Sequence, residues 1–305
     1  MEKNKLFETI KIGNVEIYTE QLKEVKPLSC AVNSATGRER YYEIKPANNS
    51  KNLMVIGGGL AGMEASRIAK TLGYNVTLYE KGKELGGYVI PGSEPDLNFD
   101  DRRLLNWYEN EMKILEVNLV MNTEVTELMI NDKMPDVVIV ATGASEIFLK
   151  EIPGIDKEKV ATACEVLEGS KTVGQNIIMV GGGLVGCETA LWLAQQGKKV
   201  TIVENYSDIL SSGKSIPYMN KIMLIDLLNI NKVEKIINTS LLEVTDEGVV
   251  ISNDKFGENE IKADTVVLAV GFKSEQDLCY KMNGKIADLY IIGDANNATN
   301  IMNAI

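Results

Sequence analysis

The stretch from Leu53 to Gly87 constrains the chain more than any other. An apolar run, Leu53 to Ile56, feeds directly into Gly57-x-Gly59-x-x-Gly62. A helical pattern follows to Leu72, and a second apolar run, Val76 to Tyr79, ends on Glu80. That order predicts strand, turn, helix and strand, with an acid eighteen residues past the third glycine. Each part has a physical role in holding a dinucleotide. Gly57 makes the tight turn, Gly59 admits a pyrophosphate against the backbone, and Gly62 lets the helix pack closely on the strand. Free N–H groups at the helix start face the phosphates, and Glu80 is placed to accept hydrogen bonds from ribose hydroxyls.

A second unit opens at Asn176 and repeats the first at a constant offset of 124 residues. Gly57, Gly59, Gly62, Glu64, Gly73 and Glu80 fall on Gly181, Gly183, Gly186, Glu188, Gly197 and Glu204. The later strands pair less rigidly, with Asp136 to Gly143 echoed by Asp264 to Gly271. Between them, Leu241 to Ser252 around Asp246-Glu-Gly248 predicts a hairpin within a small β-meander. The expected fold is therefore α/β: two Rossmann-like dinucleotide-binding domains, the second inserted in the first, three-layered with small β-meanders. The expected segments are 1–50 as an N-terminal connector, 51–150 as the first part of the first domain, 151–272 as the inserted domain, and 273–305 as the remainder of the first.

Elsewhere the pattern is weaker. Lys5 to Ile17 alternates enough for a short hairpin, and Pro27 to Pro46 predicts a connector that wraps the first domain. Pro91 and Pro95 predict a loop, after which Asp100-Asp101 would cap a helix running through Leu115. Val117 to Met121 predicts a strand, and Pro153-Gly154 starts a linker.

Composition narrows the chemistry. At 305 residues, with 45% apolar and 25% charged residues, the chain has the make-up of a soluble protein of about two domains. No apolar run is long enough to cross a bilayer, and Met1-Glu-Lys-Asn-Lys lacks a secretory signal's apolar segment. A net charge of −11 argues against nucleic acid or an anionic membrane as partner. The four cysteines, Cys30, Cys164, Cys187 and Cys279, are too widely spaced for a redox pair or a compact metal site, and their free thiols suit a reducing cytoplasm. There is no histidine, which removes serine–histidine and cysteine–histidine catalysis and predicts no metal centre.

The two copies diverge just past the terminal acid. After Glu80 the chain reads Lys-Gly-Lys-Glu-Leu and then Gly86-Gly87; after Glu204 it reads Asn-Tyr-Ser-Asp-Ile-Leu, without a glycine pair. Adjacent glycines let a second backbone segment approach a bound diphosphate, as a large, permanently held cofactor needs. Late in the chain, Leu289 to Ile292 leads into Gly293-Asp294. Alone, Asp294 would suit a turn or a helix N-cap; together with Gly86-Gly87 it points to the polyol of a flavin. Glu204, with no arginine between it and Leu210, favours NADH over NADPH, because a carboxylate accepts the 2′-hydroxyl and repels a 2′-phosphate.

These features together, with the Ala141-Thr142-Gly143 turn, resemble the two-dinucleotide-binding-domain flavoproteins that include glutathione reductase-like enzymes. The resemblance covers roughly residues 50–305. It implies FAD in the first domain, NAD(P)H in the second, and hydride transfer from nicotinamide to flavin. The FAD contacts it implies are Gly57, Gly59, Gly62, Glu80 with Lys81 beside it, Gly86, Gly87, Thr142, Gly143, Gly293 and Asp294. For the nicotinamide dinucleotide they are Gly181, Gly183, Gly186, Glu204 and Gly271, with Glu188 near the nicotinamide ribose. Hydride transfer between stacked rings needs no side-chain acid or base, so no catalytic residue is named.

A narrower likeness lies in Lys26 to Glu39, similar to the segment joining the iron–sulfur site to the FAD domain in 2,4-dienoyl-CoA reductase, 2-enoate reductase and trimethylamine dehydrogenase. In that family an old-yellow-enzyme barrel with FMN comes first, then a 4Fe–4S cluster, then the FAD/NAD(P) module. Lys5 to Asn14 is similar to the barrel's start, and Cys30 matches the last cluster cysteine. The barrel and the other cluster cysteines have no counterpart here, so neither FMN nor a 4Fe–4S cluster is expected. The chain reads as an internally deleted relative, and Asn300 to Ile305 as the beginning of a longer helix. The expected function is a FAD-dependent NADH oxidoreductase of the dehydrogenase or diaphorase kind, passing electrons to a separate protein, a quinone-like acceptor or oxygen. A non-catalytic module holding ADP or a dinucleotide, and a reductase subunit docking on a separate barrel, stay open beside it.

Overall fold

The computed structural model describes residues 30–212, 216–255 and 257–305. The hairpin expected at 5–17 lies outside them. The chain forms two compact units. The first takes the residues up to Gly87, Leu104–Ala144 and Ser274–Ile305; the second takes Tyr88–Arg103 and Ser145–Lys273.

The first unit is built on a five-stranded parallel sheet in the order Leu289–Ile291, Val137–Val140, Asn52–Ile56, Asn75–Tyr79, Asn118–Val120. Leu53, Met54, Val55 and Ile56 are all buried, as expected of a central parallel strand covered on both faces. Met54, Ile56, Val138 and Val140 share one face with Val125, just before the Thr126-capped helix Glu127–Lys133, with Ile130 of that helix, and with Met282 of the helix Asp277–Met282. The described part of the connector lies along this unit, with Ala47 N–H donating to Leu72 O at 2.8 Å.

The second unit repeats the sheet with the order Val160–Thr162, Thr265–Leu268, Asn176–Val180, Lys199–Val203, Glu234–Ile236. Its register matches that of the first copy: Leu53 faces Val76 there, and Ile177 faces Val200 here. Side chains alternate between two cores. Ile177, Met179, Val200 and Ile202 pack with Leu193, Leu224 and Leu228 of two helices, Leu184–Gln195 and Tyr218–Ile230. Ile178, Val180, Val203 and Val266 pack with Val244, Val249 and Ile251 of the antiparallel sheet Thr239–Val244, Gly248–Asn253, Gly257–Lys262. Helix, sheet and meander make three layers. Each fully buried Ile or Val contributes about 1.5–3 kcal/mol relative to exposure.

Three local expectations are revised. The helix expected after an Asp100-Asp101 cap begins at Phe99, so both acids lie in its first turn, where they favour the N-terminal dipole. The loop around Pro91 holds a single helical turn, Val89–Gly92. The stretch after Gly154 is not a plain linker: it contains the edge strand Val160–Thr162 and the helix Ala163–Leu167, closed by a Thr162–Glu165 capping box.

Candidate dinucleotide-binding sites

In each unit the first strand turns through a glycine in a conformation L side chains rarely adopt, φ +109° at Gly57 and +106° at Gly181. A Cβ on Gly57 would lie 2.2 Å from Ala141 O, and one on Gly181 would lie 2.4 Å from Ala269 O. The third glycine is equally confined: a Cβ on Gly62 would sit 1.9 Å from Gly57 O, and on Gly186 2.0 Å from Gly181 O. The second glycine differs. Among the described residues, a Cβ on Gly59 meets nothing within 4 Å, and one on Gly183 meets only Ser212 Oγ, at 3.5 Å. Gly59 and Gly183 are the N-caps of the helices Leu60–Thr71 and Leu184–Gln195, and neither end carries a side-chain cap. Each loop therefore offers open space and first-turn N–H groups to an anion, the donor set a diphosphate requires.

The terminal acids close the loops. Glu80 accepts the Gly58 and Gly82 N–H groups, each at 2.6 Å. Glu204, buried, accepts Gly182 N–H at 2.6 Å and Tyr206 N–H at 2.8 Å. One bond per oxygen leaves each carboxylate further lone pairs for ribose hydroxyls. Lys81 is exposed beside Glu80.

Gly86 and Gly87 run past the first loop. Gly86 N–H donates to Gly58 O at 2.9 Å, and Gly86 bridges Gly59. The second copy has no glycine pair, yet Leu210 N–H donates to Gly182 O at 2.7 Å, with Leu210 held at φ +54°. Both copies thus bring a second backbone segment to the loop. The difference drawn from the glycine pair is one of side-chain room, not of chain path.

The remaining expected residues fall at the same strand ends. In the first unit Thr142 Oγ1 donates to Glu275 O at 2.7 Å, and Gly143, at φ +75°, has open space where a Cβ would be. Gly293, at φ +60°, would place a Cβ 2.5 Å from Ala61 Cβ. Asp294 Oδ1 accepts Thr299 N–H at 2.9 Å, and its Oδ2 has no partner among the described residues. In the second unit Gly271 O accepts Ile147 N–H at 3.0 Å.

Glu188 lies in the second unit, half-buried on the Leu184–Gln195 helix. Asn98 Nδ2 donates to its Oε2 at 3.1 Å. Burial pushes its carboxyl from the usual 4.5 up to about 7; the Asn98 bond opposes this, and the nearby charge of Asp101 adds to it. The sequence pattern singles out Glu188 but not its partner Asn98, which lies in the segment expected to be a loop. Neither thiol of this unit is activated. Cys187 is pushed to about 12 by burial, and Cys164 is raised by burial and by Glu146. No three metal-ligating side chains converge among the described residues, and no helix there is long and apolar enough to cross a membrane.

Residues 32–137 and 135–305 match the profile of the pyridine nucleotide-disulphide oxidoreductase family. The chain is 46% identical over 285 residues to a cinnamate reductase of Clostridium sporogenes, covering 93% of this chain and 42% of that protein. It is 35% identical to an NADH oxidase of Thermoanaerobacter brockii, covering 91% and 43%. A solved 2-naphthoyl-CoA reductase complex superposes with a TM-score of 0.87 at 31% identity, covering 93% of this chain and 43% of that one. The chain thus spans less than half the length of these relatives. With the repeated glycine loops, closing acids and parallel sheets, this match makes the chain a member of the pyridine nucleotide-disulphide oxidoreductase family.

Proposed function

We propose that the chain is a FAD-dependent NADH oxidoreductase that passes electrons to a separate acceptor. One observation carries this reading: two glycine loops of the same build, each with room above its second glycine and each closed by an acid. FAD is assigned to the first unit, at Gly57, Gly59, Gly62, Glu80, Lys81, Gly86, Gly87, Thr142, Gly143, Gly293 and Asp294. The nicotinamide dinucleotide is assigned to the second, at Gly181, Gly183, Gly186, Glu188, Glu204 and Gly271. When bound, the nicotinamide supplies a hydride and the flavin accepts it. The chain's own groups bind and orient: loop amides hold diphosphate, Glu80 and Glu204 hold ribose, and Glu204 disfavours a 2′-phosphate.

A 4Fe–4S cluster is no part of this proposal, because Cys30 is one thiolate where a cubane cluster takes four, and no residue described is assigned to FMN. The free thiols fit a reducing cytoplasm. A second reading has support in the chain's coverage of its relatives, 42% and 43%: a reductase portion that serves an FMN protein of the old-yellow-enzyme type. Incubation with FAD, desalting and a visible spectrum, then NADH oxidation with a redox dye, test the first reading. A flavin-coloured protein that reduces the dye supports it, and a colourless one that takes up no FAD overturns it. Co-purification with an FMN protein would favour the second.

A further inference from the structure

The two units treat the same carboxylate differently. In the first, Glu64 is clamped by Arg67, with Nε to Oε2 at 2.7 Å and Nη2 to Oε1 at 2.9 Å, and Tyr108 Oη donates to Oε2 at 3.2 Å. Glu188 is its counterpart in the second unit. There the place of Arg67 is taken by Leu191, and that of Tyr108 by Leu224, eight residues earlier than the loop offset predicts; both leucines are buried. The residues at these matching positions offer Glu188 neither a cation nor a hydroxyl.

What it has instead is Asn98. That amide donates to Glu188 Oε2 at 3.1 Å and to Gly92 O at 2.8 Å, so its orientation is fixed from two sides. Asp101, three residues on, brings a second negative charge toward Glu188, and no cation pairs with Glu188 among the described residues. A carboxylate removed from water without a counterion is unfavourable unless donors satisfy it. Its Oε1 has no partner among the described residues, so this oxygen is available to donors from a ligand.

We propose that Asn98 is a positioning residue for the nicotinamide dinucleotide: it fixes the Glu188 carboxylate so that the second oxygen accepts from the hydroxyl and amide donors of the nicotinamide riboside half. This rests on the assignment of the second unit under Proposed function.

The test is calorimetric titration of the full chain, saturated with FAD, with NAD⁺ and separately with ADP. ADP shares the adenosine and diphosphate but lacks the nicotinamide riboside. The variants are Asn98→Ala and the near-isosteric Asn98→Asp, which keeps the shape and replaces the amide donor with a like charge. Both should weaken NAD⁺ binding about tenfold, the effect of losing one well-oriented bond to a charged group, and leave ADP binding within about twofold of wild type. Asn98→Asp binding NAD⁺ like wild type overturns the proposal. So does an equal loss of NAD⁺ and ADP, which would mark a packing role. Wild type that binds neither ligand overturns the site assignment as well.

Discussion

Arg67 grips Glu64 through two near-parallel hydrogen bonds, at 2.7 and 2.9 Å, and stacks its guanidinium 5.7 Å from the Trp107 ring centre. The pair is mostly buried, with Arg67 and Glu64 side chains 23% and 12% exposed. Removing the cation would leave Glu64 uncompensated. Arg67→Ala is expected to destabilise the protein by about 1–3 kcal/mol, the lower end reflecting the exposed part of the pair. The shift of the urea unfolding midpoint at constant slope measures it.

The two inner glycines of the first loop should respond oppositely to one methyl group. Gly62→Ala forces a Cβ to 1.9 Å from Gly57 O and should cost about 3 kcal/mol or more, read as a fall in melting temperature. Gly59 has φ −70° and open space, so Gly59→Ala should fold normally. It should nevertheless lose FAD, because the methyl fills the room the diphosphate needs. Equal melting curves with unequal flavin content after desalting are the expected result.

Glu188 ties stability and binding to pH in opposite senses. Its carboxyl is raised from 4.5 to about 7, so between those values the folded chain holds more protons than the unfolded one. Its contribution to stability is therefore full at low pH and is lost as pH rises through about 7. Glu188→Gln, permanently neutral, should be more stable than wild type at pH 8 by about 2 kcal/mol and equal to it at pH 4. Binding of NAD⁺ should run the other way, tightening in wild type as the carboxylate forms and staying flat in the variant. Melting and titration across that range check both.

Glu204→Gln keeps the shape but turns one acceptor into a donor facing a backbone N–H. Steady-state kcat/KM for NADH should fall about tenfold, and that for NADPH should fall less, because the repulsion of a 2′-phosphate is gone. A parallel fall for both cofactors would remove Glu204 from the discrimination.

Much of this was legible because glycine loops leave an unusually explicit trace. Gly57, Gly62, Gly181 and Gly186 each face a carbonyl within 2.4 Å of any added Cβ, so the spacing in the sequence reflects hard contacts. Central strands buried on both faces read as plain apolar runs. The helix Tyr218–Ile230 was not legible. It is apolar on most sides, with Tyr218, Met219 and Ile230 exposed, and so shows little helical periodicity. The repeat itself could have found it. Past Glu204 the offset falls from 124 to 116, pairing Met112 with Leu228 and the left-handed residues Glu116 and Asn122 with Lys232 and Asn238. Leu210 hid a different fact, since a left-handed leucine gives no sequence signal. Asn98 was hidden because its partner is distant in the chain and its own segment has no strong period.

The proposed function requires NADH to reduce a flavin bound to this chain. Anaerobic titration of the FAD-loaded chain with NADH, followed in the visible, tests it most directly. The flavin bands should bleach to an end point near one NADH per flavin. A flavin that stays oxidised through excess NADH, with NAD⁺ binding measured on the same preparation, would contradict it.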